Sequence, residues 1–298
     1  ILLKGHLQRR KDVNRFKDFD IIFIQREASF FGSSHFEMCA HKSGKKVIFD
    51  FDDAIWLADT SAGNKKWEWV KDPKKFNANV SFANMVIAGN TYLADKAKEF
   101  TKAEVHIIPT TVDTNVHIPK WELRGKEKIT IGWSGSFSTI KHFEEVVSVL
   151  KELNKKHPGK LQFKIVGDAN YRNEELGING IAWSIETEVN ELNSFDIGIM
   201  PLPKDEWTKG KCGLKALTYM SCEVPVVMSG VGVNIEIAKD GCAMIANTKE
   251  EWMNALDELI DDKSKREVLG KKGRQRVEEK YSVKANEVKY LKIFKAME

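Results

Sequence analysis

Four segments of the sequence place glycine, lysine or aspartate after short apolar runs or at the opening of a helix, and their residue types suit the handling of charge. The first, Ile131 to Lys141 (IGWSGSFSTIK), runs from apolar residues through small ones to a lysine. Glycine lets a backbone approach a phosphate closely, amides at a helix start bind it, and Lys141 would neutralise its charge. The second, Gly210 to Ser221 (GKCGLKALTYMS), repeats the combination with Lys211 and Lys215 and would make another contact to the same anion. Neither is Gly-x-Gly-x-x-Gly nor a Walker loop, which argues against NAD and against a P-loop NTPase. A tight turn with a solvated lysine, and a plain loop-helix packing unit, are the competing readings.

The third segment, Ser229 to Asn234 (SGVGVN), has Glu236 just inside a following helix and reads on its own as a turn. The fourth is acidic: Asp50, Asp52 and Asp53 in FDFDDAIW follow another apolar run. They read as a helix N-cap, a metal-binding Asp-x-Asp, or catalytic carboxylates. Histidines at 6, 35, 41, 106, 117, 142 and 157 form no His-x-x-x-His pair. Cys39, Cys212, Cys222 and Cys242 form no Cys-x-x-Cys pair, so neither a zinc knuckle nor a thioredoxin-like centre is indicated, and four reduced thiols are expected. Trp56, Trp67 and Trp69 could stack on a sugar, with core packing as the plainer use.

The elements that must position these segments alternate. Apolar β-formers at 21–25, 47–51, 84–88 and 105–108 predict strands, separated by helices at 33–41 and 92–100, the latter capped by Asn90 or Thr91. A polar stretch from Asp113 to Lys128 with Pro119 breaks the pattern and sets a domain boundary near Ile118. Strands at 129–133, 161–166, 196–200, 224–228 and 243–246 then alternate with helices. The first of these helices carries Phe143, Val146, Val147, Leu150 and Leu153 on one face and ends at Pro158-Gly159. Others are expected at 186–192, at 214–221, around Trp252 to Ile260, at 263–280 and at 283–297 after a cap at Ser282. Such alternation implies parallel sheets with right-handed crossovers, and ligands then bind beyond the carboxyl ends of the strands, where the four segments lie. The expected fold is α/β with two Rossmann-like domains, residues 1–118 and 119–281, and a C-terminal helix, 282–298, that packs back on the first.

Composition fits that picture. The 298 residues are 42% hydrophobic and 30% charged, which excludes a disordered, collagenous or heptad-repeat chain. A balance of 47 basic against 43 acidic residues, +4, is too slight for a nucleic-acid binder and compatible with weak attraction to an anionic substrate or membrane surface. No run of 18 apolar residues or signal-peptide layout is present, so a cytoplasmic location is expected, with association at the inner face of the membrane.

With the two β/α domains, Gly135 followed by Lys141, the Gly210-Lys211 loop and Pro225-Val226-Val227, the chain resembles the GT-B fold glycosyltransferases, family 4 of the retaining enzymes. Typical members carry Gly-Arg and then a lysine in the first loop; here Gly135 and Lys141 match, and Ser136 stands at the arginine. Their Glu-x7-Glu signature aligns with Gly210 and Thr218, so both acids are replaced. Branches acting in bacterial surface polysaccharide synthesis look similar to this chain in the DIGIMPL strand, the Gly-Lys-Cys turn, the lysine at 215 and the DFDD segment.

The resemblance implies transfer of a sugar from a nucleotide-diphosphate sugar to a polysaccharide or glycolipid acceptor, without metal or other cofactor and without nucleic acid. It implies diphosphate binding by Gly135, Ser136, Lys141, Lys211, Gly213 and Lys215, and ribose or sugar binding at Gly210 and Thr218. It places Asp52 or Asp53 on the acceptor side near a family active-site histidine, and sets Asp52, Asp53 and Lys141 as catalytic. Two alternatives stand beside it. A non-catalytic nucleotide-sugar-binding subunit is suggested by the replaced glutamates, and a haloacid dehalogenase-like phosphatase by Asp50 and Asp52 after a strand. Because only four strands precede the boundary and the chain starts Ile1-Leu2-Leu3, the first domain is expected to lack one or two βα units of roughly 30 residues each.

Overall fold

The computed structural model describes residues 2–29, 33–57, 72–125 and 127–297. They form two compact units. The first comprises residues 1–110, 209–212 and 287–298, the second 111–208 and 213–286.

In the first unit, α1 (Leu2–Val13) precedes β1 (Ile21–Gln25), α2 (His35–Lys42), β2 (Lys46–Phe51), α3 (Lys75–Phe82), β3 (Met85–Ala88), α4 (Thr91–Lys98) and β4 (Glu104–Ile107). The strands form a parallel sheet in the order β1-β2-β3-β4, with Ile24 opposite Phe49 and Ile48 opposite Met85. The four residues of β3 are all buried, as its unbroken apolar run requires of a strand covered on both faces. Period-two alternation sends Phe49 and Phe51 to one face, against Phe76, and Ile48 to the other, against Ile293 and Met297 of the last helix. Helix α1 was not legible as an element, since Leu2–Val13 is largely polar and has no apolar stripe.

The second unit contains β5 (Ile129–Ser134), α5 (Ile140–Lys156), β6 (Leu161–Val166), the short antiparallel pair β7 (Arg172–Asn173) and β8 (Ile178–Asn179), α6 (Glu188–Asn193) and β9 (Ile197–Met200). The one-turn helix α7 (Glu206–Lys209), α8 (Leu214–Ser221), β10 (Val226–Met228), α9 (Asn234–Ile237), β11 (Met244–Ile245), α10 (Lys249–Asp261) and α11 (Lys263–Arg276) follow. Its parallel sheet runs β11-β10-β9-β5-β6. One face packs on α5 and α10 through Trp133, Phe143, Leu150, Leu153, Leu256 and Leu259; the other meets α8 through Phe195, Tyr219 and Met220. Full burial of each such side chain stabilises the unit by about 1.5–3 kcal/mol. A capping box of Thr248 and Glu251 starts α10, and Asp262 caps α11 through the amide of Lys265. Helix α11 stops at Arg276, short of the expected Lys280, and passes into a π turn over Val277–Tyr281. Helix α12 (Val283–Met297) closes the chain.

The expected boundary at Ile118 lies instead between Thr110 and Thr111, and the return to the first unit begins at Glu287 instead of 282. The physical reason is that residues 112–125 are bonded into the second unit. Val112 exchanges backbone hydrogen bonds with Tyr281 and Val283, and the buried Asn193 amide holds Ile118 and Lys120.

Candidate functional site

In the second unit, β5 ends in a loop of small residues that leads into α5. The Ser134 amide donates to the Tyr219 hydroxyl at 2.6 Å, and the Gly135 amide donates to Val166 O at 2.8 Å. Tyr219 is fully buried, and burial pushes its phenol far above the ordinary value, so it stays a neutral partner. The next loop, after β6, touches the first backbone to backbone. A Cβ on Gly167 would lie 2.2 Å from Gly135 O, and Gly167 has φ +120, so only glycine fits.

Helix α8 supplies the third wall. Gly213, in the left-handed conformation at φ +75, turns the chain into the helix, and Lys215 follows in its first turn. The Lys215 stem runs beside Gly135, with Cε 2.7 Å from where a Cβ on that glycine would sit, and its ammonium lies 5.4 Å from the Trp133 ring centroid. Lys141 stands exposed in the first turn of α5. Neither first turn carries an acidic residue, so both helix N-termini present positive dipole ends to an anion. The fourth loop is held from below: Ser229 Oγ accepts from the Leu202 amide and the Asn234 amide group donates to Ser229 O.

Of the expected diphosphate group, the structure therefore gathers Gly135, Gly213 and Lys215 on the second unit, with Ser136 and Lys141 on the adjoining loop and helix start. Lys211 is placed differently. It belongs to the first unit, where its ammonium is 3.0 Å from Asp53, a carboxylate with 13% of its side chain exposed. Gly210 lies in the same unit, buried against Ala54, with its carbonyl accepting from Asn90. Thr218, expected at the ribose or sugar, turns its hydroxyl onto Lys215 O one helical turn back.

Also in the first unit, Asp52 pairs with Arg26 at 2.6 Å, and Arg26 adopts φ +60, an uncommon conformation for a non-glycine residue. Asp50 points to the α12 face of the sheet. Burial first, then the neighbouring Asp52, raises its carboxyl to about 6, with Arg26 opposing. Burial pushes the Tyr290 phenol up to about 12, reinforced by Asp50 and Asp52. Burial also drives the Cys212 thiol up to about 12, which leaves it protonated and unreactive. Trp56, half-buried, packs on Phe76 and Tyr92; Trp67 and Trp69 lie outside the described residues.

Sequence spacing missed three participants: Gly167, Tyr219 and the second role of Asn90. Gly167 carried a visible signal, a glycine immediately after the apolar run of β6. It also missed His157, whose ring nitrogens face Asp257 at 2.7 Å and Asp261 at 3.9 Å; Lys156 shares Asp257. Among the described residues this is the group with metal-ligand spacing.

Comparison with known proteins gives this architecture a class. Residues 128–262 match the family model for Glycosyl transferases group 1. The chain is similar to sucrose-phosphate synthase (tll1590) from Thermosynechococcus elongatus at 15% identity and TM-score 0.74, covering 98% of this chain and 78% of that one. It is similar to TarM of S. aureus at 16% identity and TM-score 0.68, covering 92% of this chain and 54% of that one. Anabaena Alr3699/HepE, solved in complex with UDP and glucose, matches at 15% identity and TM-score 0.69, over 97% of this chain and 82% of that one. No curated protein matches the sequence.

The fold is that of the GT-B glycosyltransferases. Within it, residues 128–262 match the Glycosyl transferases group 1 family.

Proposed function

We propose that the chain moves a sugar from a nucleoside diphosphate sugar, with uridine as the base, to a carbohydrate or lipid-linked acceptor in polysaccharide synthesis, without a divalent metal. The observation that carries this reading is the contact of Lys215 with Gly135 at the strand ends of the second unit, between the N-termini of α5 and α8. As the glycosidic bond to the diphosphate breaks, negative charge develops on the departing oxygen. Lys215, Lys141 and the amides of the two helix starts are the groups that meet it, and each such donor is worth about 3 kcal/mol of barrier. The uridine assignment is supported by Alr3699/HepE, whose structure holds UDP.

Metal independence is supported by where the one described group with metal-ligand spacing lies. The His157, Asp257 and Asp261 group follows the C-terminal end of α5, about 24 Å along that helix from the loop that faces the diphosphate. On the acceptor side we assign Asp52 and Asp53 to the hydroxyl that attacks. Among the described residues no helix is long and apolar enough to cross a membrane.

Turnover of UDP-glucose and related UDP-sugars, including slow hydrolysis without acceptor, tests the reading. Release of UDP in the presence of EDTA is expected from the wild type, and Lys215→Ala should lower it about 100-fold or more. Binding without turnover would favour the non-catalytic subunit, which Gly210 and Thr218 in place of glutamates otherwise suggest. Magnesium-dependent phosphate-ester hydrolysis lost in Asp50→Asn would favour the phosphatase.

A further inference from the structure

Residues 209–212 lie within the sequence of the second unit yet belong to the first. They form a strap held at several points. The buried Asn90 caps α4, its Oδ1 accepting from the Leu93 amide at 2.9 Å, while its Nδ2 donates to the carbonyls of Gly210 and Lys211, both at 3.3 Å. The Cys212 thiol donates to Asp52 O at 3.2 Å and fills the space beside Gly89. Lys211 closes the strap on the Asp53 carboxylate. One asparagine thus serves two masters, a helix start and a strap, and the strap touches both acceptor-side aspartates.

We propose that Asn90 and Lys211 are positioning residues for sugar transfer: through the strap they fix the orientation of the Asp53 carboxylate and the backbone of Asp52, and Lys211 does not bind the donor diphosphate. This rests on the transferase reading and on the acceptor-side role of the aspartates. Asp53 has little exposure; its carboxylate meets the Lys211 ammonium at 3.0 Å and accepts from the Ala54 amide at 3.1 Å, so Lys211 is the side chain that helps set its rotamer. Lys211 is in turn placed by its own carbonyl, bonded to Asn90. A side chain acting directly on the nucleotide would change affinity for it; one acting through Asp53 changes turnover alone.

Asn90→Ser separates the two jobs of Asn90, because serine keeps the N-cap and loses the amide that holds the strap. Lys211→Met and Asp53→Asn, singly and together, form a double-mutant cycle. Affinity for UDP is measured beside turnover of a UDP-sugar with a saccharide acceptor, and thermal melting reports folding. Expected are unchanged UDP affinity in Asn90→Ser and Lys211→Met, a fall in kcat of about 10–100-fold, and a double variant no slower than the worse single one. A drop in UDP affinity on Lys211→Met would make Lys211 a diphosphate ligand and overturn the proposal. So would additive losses in the cycle, or full turnover in Asn90→Ser. If the wild type binds UDP without turnover, the transferase reading fails, and the UDP affinity of Lys211→Met still decides whether this lysine contacts the diphosphate.

Discussion

Replacing Gly167 by alanine perturbs the donor loops at a place where two backbones meet. The added Cβ would lie 2.2 Å from Gly135 O and 2.8 Å from its carbonyl carbon, while ordinary contact begins at 3.4 Å, so the loops must part by about 1 Å. Crowding of that kind costs about 1–3 kcal/mol. The φ of +120 adds strain of about 1–3 kcal/mol, since an L-residue rarely adopts it. The total, about 2–6 kcal/mol, is a large part of the roughly 5–15 kcal/mol that holds a domain folded, so the variant should fold and be clearly weakened. Urea unfolding followed by tryptophan emission gives the loss of stability, and UDP titration should show affinity at least tenfold lower because Gly135 is displaced. Gly159→Ala is the control. That glycine has φ +74 with nothing near its added Cβ, so it suffers strain alone and should leave UDP binding untouched. Wild-type stability in Gly167→Ala would refute the packing argument. Lost stability with unchanged UDP affinity would refute the placement of the nucleotide.

Two further outcomes follow from buried groups. Tyr219→Phe removes the acceptor of the Ser134 amide, which should cost about 1–3 kcal/mol in urea unfolding and loosen the loop enough to weaken UDP binding; no change in either would show that the hydrogen bond does not set the loop. Asp50 holds its proton more tightly in the folded state, with its carboxyl at about 6 against an ordinary 3.8. The contribution of Asp50 to stability is therefore greatest below the lower value and declines by about 1–3 kcal/mol as pH rises through the window between them. Asp50→Asn carries no such charge, so its stability relative to wild type should rise between about pH 3.8 and about pH 6 and level off above that; a pH-independent difference would contradict the burial of Asp50.

The strands were legible because Ile21–Gln25, Lys46–Phe51 and Leu161–Val166 are apolar runs bounded by polar turns, and burial on both faces of a parallel sheet leaves that mark. Helix α5 was legible from the spacing of Phe143, Val146, Leu150 and Leu153, all buried. The one-turn helix α7 was not, having too few residues to show a period. The glycines and lysines after β5 and before α8 were visible as anion-binding chemistry, and the structure brings Gly135 and Lys215 together. The pairing of Lys211 with Asp53 was not legible, because the two are 158 residues apart and no local pattern records it. The same blindness hid the passage of residues 209–212 into the first unit, since periodicity describes neighbours along the chain and not which unit a loop joins.

The most direct measurement of the central claim compares the affinities of UDP and UMP, in EDTA, for the wild type and for Lys215→Ala. If Lys215 and the two helix N-termini hold the second phosphate, the wild type should bind UDP at least about tenfold more tightly than UMP, and Lys215→Ala should erase most of that preference. Equal preference for UDP in both proteins, or binding that appears only with a divalent metal, would contradict the account.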